Sequence, residues 1–501
     1  MPRTKKTTTT AAPSKSMKSS ITIRMYNPGF GDCFLLTFHT ADGSPRYVLI
    51  DCGVHHRYPD GQTRMKLIAG DIAKVTNNHL DIVAVTHEHT DHLYGFRYAN
   101  EIFGQIKIDD LWLSWAEDPN DALAKQLKDG IKSGVEELTS AVSKLTPINL
   151  QAADGLRGVL EFETSFTAKG ETKSELDWLR EWSHKKLQTS TDYRRPGEDP
   201  LTIPGVNGVK VYVLGPPRNA KDISTITKEA EMYPEFAPID GPQAFAAALK
   251  AGESNISKED DSIIKRSIPF DKRYYIPPDQ PNINPVYQTF FQKHYGSTKD
   301  TPSEMGDDWR RIDDDWLESA SELALKINNM TNNTSLVLAF ELTDSNPHKV
   351  LLFVGDAQVG NWQSWQNVQW TTGTQEKDKI TGADLLRRTV FYKVGHHGSR
   401  NATLRQKGLE MLDDSSLIAM IPVDQKWAND AMHWEHPALK LLERLEEKTK
   451  NRLLRTDKIA SISEALQKPD NMDNNEWQNF LKAVDWDKSP DNLWIQYTME
   501  E

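Results

Sequence analysis

The chain is 501 residues long, with 38% apolar and 26% charged residues, which supplies a substantial core and excludes disorder over most of its length. No run of about 18 apolar residues occurs, which excludes a membrane-spanning helix. Two cysteines, Cys33 and Cys52, exclude a disulfide framework and a cysteine-rich zinc site. With 60 basic against 72 acidic side chains the net charge is −12, which argues against coating nucleic acid by bulk charge and leaves room for a local basic groove.

Residues 1–20 are rich in Thr, Ser and Lys without the apolar core of a secretory signal, and are expected to form a disordered tail. With so little cysteine, a cytoplasmic, reducing setting is expected. One α/β domain is expected over 21–445, with insertions at 116–200 and 218–325 and a C-terminal extension over 446–501. Alternation of Ile21, Ile23 and Met25 with polar residues predicts a strand, and runs at Cys33–Phe38 and Tyr47–Ile50 predict two more. A helix is expected near Met65–Val75. Ile82–Val85 is wholly apolar, as for a strand buried on both faces. Leu123, Leu127, Ile131, Val135, Leu138, Val142 and Leu145 recur at helical spacing and predict a packing face. Strands follow at Val209–Leu214, Leu336–Leu342, Val350–Val354, Val390–Val394 and Leu417–Val423. The segment 218–325 is polar and Pro-rich and reads as an irregular insertion. A helix should start at Pro437, and the last fifty residues read as mixed helix and loop.

Chemistry concentrates at strand ends. Thr86-His87-Glu88-His89-Thr90-Asp91-His92 follows the apolar run Ile82–Val85 and holds five potential metal ligands within six residues. A turn there can aim His87 and His89 at one cation and Asp91 and His92 at a second. Imidazoles and carboxylates suit zinc, and also manganese or iron. Val354-Gly355-Asp356 ends a second apolar strand with a carboxylate able to bridge. Val394-Gly395-His396-His397-Gly398-Ser399 ends a third, where His396 or His397 could complete the second cation's set.

The His87-x-His89-x-Asp91-His92 string resembles the signature of the metallo-β-lactamase fold hydrolases. More narrowly, Pro28-Gly29-Phe30-Gly31-Asp32-Cys33, Asp51-Cys52-Gly53, Asn332-Asn333-Thr334-Ser335, Gly355-Asp356, the Gly-His-His-Gly-Ser string and His436-Pro437 are similar to the hydrolase domain of the competence protein ComEC and its soluble relatives. The resemblance implies a four-layer αβ/βα sandwich and two divalent metal ions, zinc or alternatively manganese. It assigns His87 and His89 to the first metal. Asp91 and His92 would hold the second, with His396 or His397, and Asp356 would bridge. Asp51 and Asp32 would stand behind the ligands. Where many superfamily members place another His before the strand at Leu336, this chain has Thr331-Asn332-Asn333-Thr334. The first metal is thereby left short of protein ligands.

A hydrolase using a metal-bound hydroxide follows from such a site. The leading reading is a phosphodiesterase or nuclease acting on nucleic acid or another phosphodiester. Asp91, His397 and His436 are its catalytic candidates; His397, if His396 is the ligand, or His436, from a helix N-terminus, could protonate the leaving group. Lys393, Ser399 and Arg400 could contact phosphate. An acyl hydrolase for thioesters, lactones or β-lactams is the alternative on the same site. A non-catalytic scaffold, with Trp362, Trp365 and Trp370 as a binding surface for a protein partner of unknown kind, is the third.

Overall fold

The alternating patterns become strands whose two sides face different cores. The computed structural model describes residues 20–40, 43–146, 153, 156–157, 160, 175–187, 191–225, 231, 315–371, 379–432, 434–470 and 472–500. Residues 1–19 of the expected N-terminal tail and most of the 218–325 insertion lie outside these residues, while Ser20 opens β1. In chain order the strands are β1 (Ser20–Tyr26), β2 (Cys33–His39), β3 (Arg46–Cys52), β4 (His79–Ala84), β5 (Lys107–Ser114), β6 (Asp192–Arg194), β7 (Val209–Gly215) and β8 (Val337–Leu342). They continue with β9 (Lys349–Phe353), β10 (Gln369–Thr371), β11 (Lys379–Thr381), β12 (Thr389–Lys393), β13 (Ile418–Ile421), β14 (Leu453–Arg455), β15 (Val484–Trp486) and β16 (Trp494–Glu500).

Two mixed sheets result. One is ordered β15-β16-β1-β2-β3-β4-β5-β6 and the other β14-β13-β12-β9-β8-β7, with β10 and β11 paired apart from both. In each, an antiparallel half adjoins a parallel half: β3, β4, β5 and β6 run parallel in the first, and β9, β12, β13 and β14 in the second.

The sheets share one apolar core. Ile21, Ile23 and Met25 of β1, Phe34 and Leu36 of β2 and Ile82 of β4 pack with Leu338 and Phe340 of β8, Leu351 and Phe353 of β9 and Met420 of β13. The ring of Phe34 lies 5.7 Å from that of Phe353, and Phe38 lies 6.2 Å from Phe340. Truncating one such ring to Ala would cost about 3–5 kcal/mol. The alternate residues turn outward. Leu35, Leu49, Leu80 and Val83 meet the helices Gly61–Val75, Thr90–Tyr98 and Glu175–Leu187. On the second sheet, Ala339, Leu352 and Ala419 meet Trp362, Leu385, Leu441 and Leu445 from the helices Val359–Ser364, Gly382–Arg387 and Leu439–Thr449. The apolar run of β4 is explained by this placement, since Ile82 and Ala84 face the inner core while Val83 and Val85 face the outer one.

Several expectations need correction. The last fifty residues include strands: β16 pairs with β1 and β15 with β16, so this segment extends the first sheet. β5, β6 and β14 also carry no clear pattern in the sequence. The helix expected from Pro437 starts at Leu439, because Ala438, its N-cap, keeps extended backbone; the Ala438 N–H donates to Gly398 O at 2.9 Å. Trp362 and Trp365 are 0% exposed and Trp370 is 4% exposed, so they are core residues and form no stacking or binding surface. The helical stripe at 123–145 does form a helix, Ala122–Leu145, packed on the helix Asp315–Asn333 through Ile131, Val135, Leu323 and Ile327. Among the described residues, no helix is long and apolar enough to cross a membrane.

Candidate metal centre

Open α/β sheets present ligand sites beyond the carboxyl ends of their parallel strands. Here those ends carry the polar residues singled out by the sequence. β3 carries Asp51 as its next-to-last residue, β4 runs into the His string, β9 leads to Asp356, β12 to His396 and His397, and β13 to Pro422. Close backbone contact locks the first two together. A Cβ on Gly53 would stand 2.2 Å from the Asp91 carbonyl carbon, and Asp32 N–H donates to Asp91 O at 2.9 Å.

His87, His89, Asp91, His92, Asp356 and His397 are all buried. Their ligand-capable atoms converge into two groups, Asp91–His92–Asp356–His397 and His87–His89–Asp356, and each group could hold a metal ion. Asp356 belongs to both. Of the paired histidines, His397 belongs to one of these groups, with its Nε2 2.9 Å from Asp91 Oδ2, and His396 belongs to neither. The group with His87 and His89 has three donors and the group with His92 and His397 has four, in keeping with the absence of a histidine at 331–334.

Three of the inward imidazoles, those of His92, His397 and His87, are gripped from behind. His92 Nδ1 meets Asp51 Oδ2 at 2.8 Å, and Asp51 itself accepts the Thr86 N–H and hydroxyl, both at 2.7 Å. His397 Nδ1 donates to the Pro422 carbonyl at 2.7 Å. His87 Nδ1 has the hydroxyls of Thr86 at 3.0 Å and Ser335 at 3.3 Å. In all three rings Nε2 is left for the centre, the arrangement by which outer partners fix metal-binding histidines. Thr86, Ser335 and Pro422 have no role in the sequence reading. Thr86 and Ser335 stand inside strings it singles out, whereas the Pro422 carbonyl has no sequence signal.

The inner atoms also lack partners. Asp32 Oδ1, His87 Nε2, Asp91 Oδ1, His92 Nε2 and Asp356 Oδ2 are buried without a hydrogen bond. His92 Nε2 and Asp356 Oδ2 stand 3.2 Å apart without hydrogen-bond geometry. A buried polar atom left unpaired costs about 1–3 kcal/mol, so such a concentration fits a ligand that coordinates them. The charge balance points the same way. The cluster holds four buried carboxylates, Asp32, Asp51, Asp91 and Asp356, and the buried ammonium of Lys393 pairs with two of them, Asp32 and Asp356. Burial opposes protonation of His92, but the carboxylates of Asp356, Asp51, Asp32 and Asp91 outweigh it and raise its pKa. The cluster demands positive charge.

The residues expected to face phosphate are placed otherwise. Lys393 is 2% exposed, donates to Gly355 O at 2.8 Å and pairs with Asp32 and Asp356. Ser399 is buried, and its Oγ lies 3.1 Å from His396 Nδ1. Neither lines an open groove; Arg400 is half-buried.

His396 is the less enclosed of the pair, with 13% of its side chain exposed. Both histidines adopt left-handed backbone, φ 44° and φ 52°, a conformation non-glycine residues hold at some cost, commonly near functional sites. Gln358 Nε2 and Ser399 Oγ lie 3.2 and 3.1 Å from His396 Nδ1, and the other ring nitrogen, Nε2, lies 3.8 Å from Asp356 Oδ2. Burial pushes the imidazole down to about 4, with His397 contributing against the pull of Asp356. His436 has its ring 5.4 Å from that of His396 and precedes the helix by three residues, so it is not at the helix N-terminus proper. The ring of Phe30 lies 4.1 Å from that of His397, and those of Trp427 and Trp434 lie 5.2 and 5.7 Å from Phe30.

The expected insertion at 116–200 also touches the His string. Lys128, on the helix Ala122–Leu145, donates to Glu88 Oε2 at 3.0 Å and to Glu117 Oε2 at 2.6 Å, which ties that helix to the His string.

No protein-family model, curated protein or solved structure matches this chain. The molecule is therefore characterised by what its own residues form: an α/β fold with a buried histidine–aspartate cluster compatible with a metal site.

Proposed function

We propose that the chain is a metal-dependent hydrolase of the metallo-β-lactamase type, holding two divalent cations, zinc or alternatively manganese, and acting on phosphodiesters, nucleic acid among them. The observation that carries this reading is the set of imidazoles tethered at Nδ1 in a cluster whose buried atoms His87 Nε2, His92 Nε2, Asp91 Oδ1 and Asp356 Oδ2 have no hydrogen bond. The order helix, sheet, sheet, helix supports the αβ/βα sandwich that the motif resemblance implies. In this reading His87, His89 and Asp356 hold the first cation, and Asp91, His92, Asp356 and His397 the second.

Two adjacent cations, when bound, lower the proton affinity of water near neutral pH and stabilise charge on attacking and leaving oxygens. The chain's own groups supply the rest. Asp51 fixes the ring of His92, and the Pro422 carbonyl fixes that of His397. His396 presents its imidazole at the less enclosed side of the cluster, where Nε2, when it carries the ring proton, can hydrogen-bond to the departing oxygen. His436 stands behind His396 and restricts its ring. This exchanges the roles that the sequence leaves open, with His397 as ligand and His396 as donor.

The test is a substrate panel: single- and double-stranded DNA, RNA, bis(p-nitrophenyl) phosphate, a thioester, a lactone and a β-lactam, each with added manganese or zinc. Hydrolysis of the phosphodiesters, lost in Asp91→Ala, supports the reading. Turnover confined to acyl substrates would establish the acyl alternative instead. Phosphodiesterase turnover equal in wild type and Asp91→Ala would show that the activity arises elsewhere.

A further inference from the structure

Beyond the two cation groups, Asp32, Asp51 and His92 form a third set of converging ligand atoms. Its carboxylates are already engaged. Asp51 is taken up by Thr86 and His92. Asp32 Oδ2 is in close ion contact with Lys393 Nζ. The same ammonium donates to the Gly355 carbonyl at 2.8 Å and lies 3.6 Å from Asp356 Oδ1. Asp356 Oδ1 also accepts the His396 N–H at 3.1 Å. One oxygen of Asp356 is thus held by Lys393 and the His396 backbone. The other, Oδ2, is buried without a hydrogen bond and faces His92 Nε2 at 3.2 Å.

We propose that Lys393 is a built-in cation of this centre, a positioning residue that fills the third acidic group and turns Asp356 Oδ2 toward both metal groups. The proposal rests on the cation-binding reading above and adds a role for a residue that the sequence places at the surface of a phosphate groove. It makes two claims. The centre takes up two divalent cations and leaves the Asp32 group to lysine. Lys393 helps those cations bind, although it carries the same sign of charge.

The second claim sets two effects against each other. As a bare charge, Lys393 repels cations a few ångströms away, and its removal would tighten their binding. As an orienting group it acts like the outer partners of other metal ligands, whose loss weakens metal affinity by about 10–100-fold. The sign of the change decides between them.

The experiment is calorimetric titration of the metal-stripped, full-length protein with manganese and, separately, zinc. Lys393→Met alone strands the Asp32 carboxylate in the interior and could unfold the chain. The deciding variant is therefore Asp32→Asn/Lys393→Met, which replaces the buried pair with neutral groups of similar size, and its thermal unfolding is recorded alongside. The expected result is a folded double variant that binds both metals about 10-fold or more weakly than wild type. Equal or tighter binding by the folded double variant would overturn the proposal and leave the two-cation reading intact. A third equivalent bound by wild type would also overturn it, because the Asp32 group would then take a metal beside the lysine. Wild type that binds no cation would remove the proposal together with the reading it rests on. If the double variant does not fold, Asp32→Asn decides: with its anchor gone, the ammonium competes for Asp356, and binding must weaken; unchanged binding counts against the proposal.

Discussion

The His string after β4 and the turn after β12 both feed the buried cluster, yet they are built differently. The first carries His87, His89, Asp91 and His92 in consecutive sequence, and the helix that begins at Thr90 sets the orientation of the last two. The second contributes one ligand-capable ring from a pair of adjacent histidines, and the left-handed backbone at both positions separates them. One ring is buried against Asp91, while the other stays partly exposed beside Gln358 and Ser399. Residue spacing explains the first segment, whereas backbone conformation explains the second.

The strongest way to break this comparison is to remove the carboxylate that the two loops share. Asp356→Ala should reduce phosphodiester hydrolysis by on the order of 10³-fold or more, since several kcal/mol of charge stabilisation would be lost. Steady-state assays with bis(p-nitrophenyl) phosphate measure it, and a loss of less than tenfold would mean that the loops do not act through one centre. The division of labour in the turn comes next. His396→Ala should retain cation affinity and lower kcat by about 10²-fold, the range of a lost proton-bearing group. His397→Ala should instead weaken uptake of one cation. The reverse assignment of effects would restore His396 as the ligand.

Smaller effects sharpen the account of the His string. Asp51→Asn keeps the shape but weakens the grip on His92, so metal affinity should fall by about 10–100-fold while the fold persists. Gly53→Ala forces a methyl group against the Asp91 backbone, and thermal or denaturant unfolding should record a loss of about 1–3 kcal/mol. Lys128→Met should cost the least, within about 1 kcal/mol in the same assay, because its ammonium is more than a third exposed. A large loss there would mean that the helix Ala122–Leu145 holds the His string in place, rather than resting on it.

The sequence makes the strand ends legible because alternation and apolar runs mark where β3, β4, β9 and β12 stop and polar residues begin. The strands that it hides are those whose pattern is set by partners far along the chain. β16 pairs with β1 across more than 450 residues, with Ser20 opposite Glu500, and its own residues are mostly half-exposed. At the site, ligand-capable side chains announce themselves by type and spacing, but their tethers do not. The Pro422 carbonyl that holds His397 is a backbone atom and leaves no trace in residue identity. Lys393 is misread for a related reason. A lysine beside a glycine-rich turn suggests a surface cation, and only the tertiary fold brings Asp32 and Asp356 around it. The tryptophans of 362–370 likewise follow burial, which composition does not reveal.

The central claim is that distant residues converge into one centre for paired cations, and cation stoichiometry tests it most directly. Titration of the metal-stripped wild type with manganese or zinc should show two equivalents bound, and the Asp356→Ala variant should lose high-affinity binding of both, because Asp356 belongs to both groups. Wild type that binds neither metal, or a variant that binds both as wild type does, would contradict the account.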